Sequence, residues 1–141
     1  GGPPRKLGAS LEELAGVNFK REVPDPRPGE DLLFYDCLWS DPQNLPGLGA
    51  NERGPDVASF GPDITSAFLN KNDLDVIVRS HQVPSKARGI EWLHNRQLLT
   101  VFSASNYGGR YGNLGGVVTV RKGQPLETSE HWAGSFQELV N

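Results

Sequence analysis

Glycine and proline recur so often along this chain that no long regular element can form. There are 17 Gly and 11 Pro in 141 residues, about a fifth of the sequence, and they are spread throughout. Each proline removes a backbone donor, and each glycine favours a turn. The expected product is a loop-rich domain of short helices and strands, long enough to bury one real core.

Three pieces read as helix. Ser10 before Leu11-Glu12-Glu13-Leu14 reads as an N-cap, with Glu13 at the third helical position. The apolar segment Leu32, Leu33, Tyr35, Cys37, Leu38 and Trp39 is ambiguous in period and leans to helix, since 32, 35, 38 and 39 share a face. Pro62 and Asp63 open a third, carrying Ile64, Ala67 and Phe68 on one side and ending near Asn70 or Asn72. Apolar runs at 76–78, 98–102 and 117–120 read as strands. Gly108, Gly109 and Gly112 bracket an expected hairpin between the last two. Residues 24–29 are a breaker-rich loop, 40–61 reads as a long loop without elements of its own, and 124–141 is undetermined. No internal repeat is found. The pattern is α/β, and sites in such sheets gather where strands end in loops. His81 and Tyr107 each follow a strand, so they are expected at one edge.

Charge is uneven. The formal net charge is −3, with no global pull on nucleic acid, yet residues 76–123 hold seven Lys/Arg against one acid, Glu91. That stretch suits an anionic substrate as well as an ordinary solvated face. The single cysteine, Cys37, excludes an internal disulfide and reads as a small buried residue. No apolar run approaches a membrane span, and no signal peptide is evident, so a cytoplasmic or nuclear location is expected.

Residue by residue, the polar candidates are modest. His81 alone would be a satisfied or surface histidine; a strand-end imidazole is also a common metal ligand. Arg53, beside Gly54 in a loop, offers a guanidinium fork that fits two phosphoryl oxygens. Asp41 before Pro42 reads as a turn or an Asx cap. Trp39 reads as core. Tyr107 could be a packed hairpin aromatic. The run Gly108-Gly109-Arg110-Tyr111-Gly112 fits no phosphate-loop spacing and reads as a turn; His94 and His131 read as surface residues.

Order changes the weight of these residues. Trp39-Ser40-Asp41-Pro42, Asn51-Glu52-Arg53-Gly54, Leu74 through Gln82 with Arg79-Ser80-His81-Gln82, and Phe102-Ser103-Ala104-Ser105-Asn106-Tyr107 follow one another. Together they resemble the C-terminal half of the catalytic domain of the phosphoprotein phosphatase family, the metal-dependent serine/threonine protein phosphatases. Residues 31–120 carry the match; 1–30 is loop and short helix, and 121–141 a tail. Gly61-Pro62-Asp63 and Ser105 are similar to the EF-hand-associated branch, although no EF-hand loop is present.

The resemblance implies an incomplete calcineurin-like metallophosphoesterase fold, a β-sandwich of mixed sheets flanked by helices. It implies Arg53 as the phosphate-binding arginine, Asp41 as a supporting aspartate, Tyr107 beside the bound phosphate, Trp39 by an apolar groove and His81 as a metal ligand. It implies two metal ions (manganese, iron or zinc), phosphoserine or phosphothreonine proteins as substrates, regulatory subunits as possible partners, and neither nucleic acid nor membrane. Where better-known branches carry a cysteine and an acid, this chain has Gly108 and Arg110. The family strings Gly-Asp-x-His-Gly, Gly-Asp-x-x-Asp-Arg-Gly and Gly-Asn-His-Glu do not occur, and Gly1-Gly2 matches the end of a His-Gly-Gly. The 141-residue chain alone is therefore expected not to retain metals, to be inactive, and to leave an unpaired sheet edge that favours misfolding or association. Once the absent portion is supplied, His81 and Arg53 are expected to converge on one anion pocket. The alternative reading is a truncated, non-catalytic partner-binding module; a phosphoesterase acting on nucleotides ranks third.

Overall fold

Local caps and breakers set the element order in the computed structural model, which describes residues 1–134. The chain divides into two compact units, residues 1–79 with 93–98, and residues 80–92 with those from 99 on.

In the first unit, α1 (Leu11–Gly16) forms where the capping box expects it. Glu13 N donates to Ser10 Oγ at 3.2 Å, and Ser10 N donates to the Glu13 carboxylate at 2.9 Å. Two otherwise orphaned donors are thereby satisfied. Ser10→Ala is expected to cost about 1 kcal/mol, read by urea denaturation; an unchanged midpoint would mean the box carries no stability.

Helix α2 (Glu30–Trp39) follows Pro28-Gly29, opens with Glu30 and Asp31 in its first turn, and buries Leu33 and Phe34. These pack with Ala9 and Val17, and Leu14 and Phe68 close the cluster. The helix also buries Asp36, which accepts from Arg5 Nε at 3.0 Å and Arg5 Nη2 at 2.7 Å, tying the N-terminal segment down. It ends at Ser40, whose hydroxyl donates to Asp36 O at 2.7 Å. Cys37 is half-buried, and burial with the Asp36 charge pushes its thiol up to about 11, so it is no ready nucleophile.

Residues 40–61 are not the structureless loop expected from composition. They fold into β1 (Asp41–Pro42), β2 (Leu48–Asn51) and β3 (Gly54–Phe60), with β3 central, parallel to β1 and antiparallel to β2. Burial of Val57 through Phe60 makes β3 the anchor, and its short neighbours, built mostly of residues with little strand preference, are held by pairing rather than by propensity. Helix α3 (Pro62–Asn72) has proline in its first turn and stops at Asp73 in the left-handed region. Its Ile64 packs with Phe60 and Leu98, with Ile77 and Leu93 at the margin. Strand β4 (Ile77–Arg79) begins with Ile77 N donating to Gln97 O at 2.9 Å.

In the second unit, β5 (Ile90–Leu93) and β6 (Leu98–Val101), each reaching the unit boundary, are sheet neighbours. Strand β7 (Gly115–Thr119) pairs antiparallel with β8 (Glu127–His131). The expected hairpin between the 98–102 and 117–120 strands is thus replaced: the glycine-rich segment holds a 3-10 turn at Tyr107–Gly109, and the partner of β7 comes from the tail left undetermined by pattern. Residues 135–141 of that tail lie outside the described residues. Among the described residues, no helix is long and apolar enough to cross a membrane.

Candidate functional site

The first unit gathers three of the sequence-marked residues, Trp39, Asp41 and Arg53, around the end of α2. Asp41 leaves that helix on the two-residue strand β1, buried at 5% exposure. Opposite, Asn51-Glu52-Arg53-Gly54 is the tight turn of the β2–β3 hairpin. Asn51 Oδ1 accepts from Arg53 N at 2.9 Å, and Gly54 adopts φ +140°, which favours glycine. The turn thus aims Arg53 at Asp41. Arg53 Nε donates to Asp41 Oδ2 at 2.7 Å, and Asn51 Nδ2 reaches the same oxygen at 3.1 Å. From the end of β4, Arg79 Nη2 donates to Asp41 Oδ1 at 2.9 Å and to Ser40 O at 3.4 Å, while Arg79 Nε donates to Gly1 O.

One carboxylate therefore faces two guanidinium groups. Burial opposes ionisation of Asp41, but hydrogen bonds from Arg53 and Asn51 and the charges of both arginines hold its carboxyl below the ordinary value. Burial pulls Arg79 down to about 10, with Asp41 pulling the other way. The two arginines differ in role. The Arg79 side chain is 3% exposed, whereas Arg53 keeps 34% of its side chain open to solvent. Asp41 engages Arg53 along its Nε edge and so fixes the plane of its guanidinium. Two cations on one anion leave local positive charge, suited to an added anion. Trp39, the last residue of α2, stacks on Tyr35 at 6.2 Å between centroids and is 37% exposed.

The second unit holds the other two. His81 lies just past β4 with φ +86°, a backbone state rare for a side-chain-bearing residue, and its Nε2 is shielded from solvent. Tyr107 opens the 3-10 turn, packs edge-on against Phe102 at 5.1 Å, and is 50% exposed. With Gly108, Arg110 and Tyr111 it lines an open depression of about 580 Å³. Its organiser is Asn113, fully buried, which donates to Ala104 O at 2.8 Å and accepts from Tyr107 N at 2.9 Å.

Sequence reading missed three of these roles. Arg79 was visible only as part of the His81 motif, although it is the deeper partner of Asp41. Asn113 carries no motif. His94, expected at the surface, is 8% exposed, because its ring bridges Thr65 and Gln43. His131 is exposed as expected.

No family model matches the chain. Serine/threonine-protein phosphatase T of Trypanosoma brucei brucei is 43% identical over 109 residues, covering 77% of this chain and 22% of the relative. A solved structure, described as a protein serine/threonine phosphatase from Saccharomyces cerevisiae with similarity to human phosphatase PP5, superimposes with a TM-score of 0.78 at 34% identity. It covers 96% of this chain and 43% of that one. The chain belongs to the phosphoprotein phosphatase family. It corresponds to the C-terminal part of the catalytic domain, and its mixed α/β structure is a portion of the metallophosphoesterase fold. It spans about a fifth of the length of the curated relative and less than half of the solved chain.

Family members of this kind use metal ions, and the donor set here does not fit a two-metal centre. Among the described residues, no three His, Cys, Asp or Glu side chains come together to hold a metal ion. Both oxygens of Asp41 already accept from Arg53, Asn51 and Arg79.

Proposed function

We propose that this chain is the phosphate-recognising portion of a protein serine/threonine phosphatase catalytic domain, a hydrolase acting on phosphoserine and phosphothreonine in proteins. The observation that carries this reading is Arg53, set in a glycine-terminated hairpin turn, held along one edge by Asp41, and a third open to solvent. A guanidinium fixed in this way receives two phosphoryl oxygens without first having to be ordered. Tyr107 contributes a partly exposed phenol to substrate binding, Trp39 an apolar wall, and His81 a single imidazole for a metal site. By resemblance, metal ions such as manganese, iron or zinc would supply the hydrolytic chemistry, and His81 would be among the residues that hold them. The remaining ligands are not found in this sequence, so the 141 residues alone do not support turnover.

Two measurements test this. Inorganic phosphate titrated into the purified protein is expected to bind weakly, with binding lost in Arg53→Ala and not restored in Arg53→Lys, since lysine lacks the fork. Equal binding by all three would overturn the role of Arg53. In a phosphothreonine-peptide assay with Mn²⁺, no turnover is expected from this chain; sustained turnover would overturn the inactivity.

The exposure of Leu38 and Trp39, 41% and 37%, favours a second reading, a partner-binding module. Under that reading Trp39→Ala, and not Arg53→Ala, removes the chain's interactions, regulatory subunits among them.

A further inference from the structure

One buried titratable side chain in the first unit is not used by phosphate recognition. His94 is 8% exposed and sits in a tight turn at φ +48°. Its Nε2 lies 2.9 Å from Gln43 O. A carbonyl can only accept, so Nε2 carries the hydrogen. Nδ1 lies 2.7 Å from Thr65 Oγ1 and accepts from that hydroxyl, and Thr65 is completely buried. Burial favours the neutral ring, in which Nδ1 is the acceptor and both nitrogens are engaged. The ring forms a T-shaped contact with Phe60, 5.8 Å between centroids at 87°.

These contacts lead to Asp41. Gln43 N donates to Phe60 O at 2.9 Å, directly continuing the parallel pairing of Pro42 with Phe60 and Asp41 with Ser59. The imidazole is thus bonded to the residue two places beyond Asp41 and packed on the residue that β1 pairs with. The groups facing it differ in sign. Gln43 on the β1 side and Thr65 on α3 are neutral, and Phe60 on β3 is apolar. Asp63, at the start of α3, favours the protonated ring and itself accepts from Gly47 N at 2.7 Å. Arg96 lies in the same turn as His94. Burial outweighs the Gln43 hydrogen bond and the Asp63 charge, both of which favour the protonated ring, so the ring protonates below its ordinary range.

We propose that His94 is a positioning residue for the Asp41–Arg53 pair: its ring pins the Gln43 carbonyl and with it the end of β1, and protonation at Nδ1 shifts the ring and that pin together. A proton on Nδ1 turns the acceptor there into a donor. The Thr65 hydroxyl must then turn its hydrogen away, and a cation is left in an apolar pocket. Outward movement of the turn relieves both, and because Nε2 keeps its hydrogen and its bond to the Gln43 carbonyl, it draws the end of β1 with it. The linkage rests on the hydrogen bonds themselves; its bearing on anion binding rests on the phosphate reading above.

The test follows the Arg53 Nε–H resonance by NMR across pH, in the purified protein and in two variants. In the unaltered protein this resonance should show an inflection where the His94 ring titrates, separate from the more acidic titration of Asp41. His94→Gln supplies an amide donor for the Gln43 carbonyl and has no proton to gain. It should keep the Arg53 signal at its neutral-pH position and lose the inflection. His94→Phe should displace the Arg53 signal at every pH. An Arg53 signal without an inflection in the unaltered protein, or one whose inflection persists in His94→Gln, overturns the proposal, and this comparison decides even if His94→Phe fails to fold. Phosphate titrated into the same samples separates the two claims: an inflection without phosphate binding at any pH sinks the phosphate reading and leaves the linkage standing.

Discussion

Asp41→Ala should lose about 3–5 kcal/mol of folding stability, the effect of removing one partner from a buried ion pair. The cost comes from what is left behind. Arg79 would keep a guanidinium at 3% exposure without the carboxylate it faces, the carbonyls of Ser40 and Gly1 being neutral acceptors. Arg53, more open, can turn to water. The variants should therefore rank by what each strands. Asp41→Asn keeps an acceptor for Arg79 and should lose less than Asp41→Ala. Arg53→Ala removes a cation that is one-third exposed, which solvent screening holds to about 0–1 kcal/mol. Urea denaturation with a common slope gives the three values, and an Asp41→Ala loss below that of Arg53→Ala would show that Arg79 is solvated. The pH dependence has a defined sign. Because the folded carboxyl is held below its ordinary value, its contribution is complete above the unfolded value of about 3.9 and is lost as pH falls through the folded value. Asp41→Asn should remove that acid-side loss.

The same site shows how far the sequence could be read. Ser10 and Glu13 announce a helix because their bonds span only three residues, and α1 forms there. Pro62 marks the start of α3 for the same local reason. Strand pairing is not local. Leu48 through Asn51 holds a glycine, an alanine and an asparagine, which carry no strand preference, and it becomes a strand because β3 is opposite. Glu127 through His131 is polar and mostly exposed, so no alternation marks it; its partner β7 does. The site residues divide in the same way. Arg53 stood out because a guanidinium beside a glycine has recognisable chemistry. Arg79 and His94 owe their roles to contacts 38 and 51 residues away, and no window of sequence holds both ends.

The tightest backbone approach in the second unit supports the other large expectation. Gly89, just before β5, faces the backbone of Gly115 and Gly116 in β7. A Cβ on Gly89 would overlap the backbone of both, and one on Gly116 would stand 2.7 Å from Gly89 C. Neither segment can easily yield. Gly89 O accepts from Phe102 N at 2.9 Å, Gly116 N donates to Phe102 O at 2.8 Å, and Leu114 N donates to Ala87 O at 2.9 Å. From β8, Glu130 Oε1 takes the hydrogens of Gly89 N at 2.8 Å and Ile90 N at 3.2 Å, and its carboxylate also pairs with Arg88. One methyl group must therefore either force two hydrogen-bonded segments apart or break their bonds. Gly89→Ala is expected to cost about 3 kcal/mol, at the upper end for overpacking, because backbone rather than a side-chain tip stands in the way. Glu130→Ala should cost about 1–3 kcal/mol by leaving the Gly89 and Ile90 amides without their acceptor. Arg88→Ala should cost far less, since that side chain is 59% exposed. Amide exchange gives a local reading: Gly89→Ala should accelerate exchange at Phe102 and Gly116 first, because those amides hold the two segments together. Exchange that remains at the unaltered rate there, with stability unchanged, would show that the two backbones lie farther apart than this contact requires.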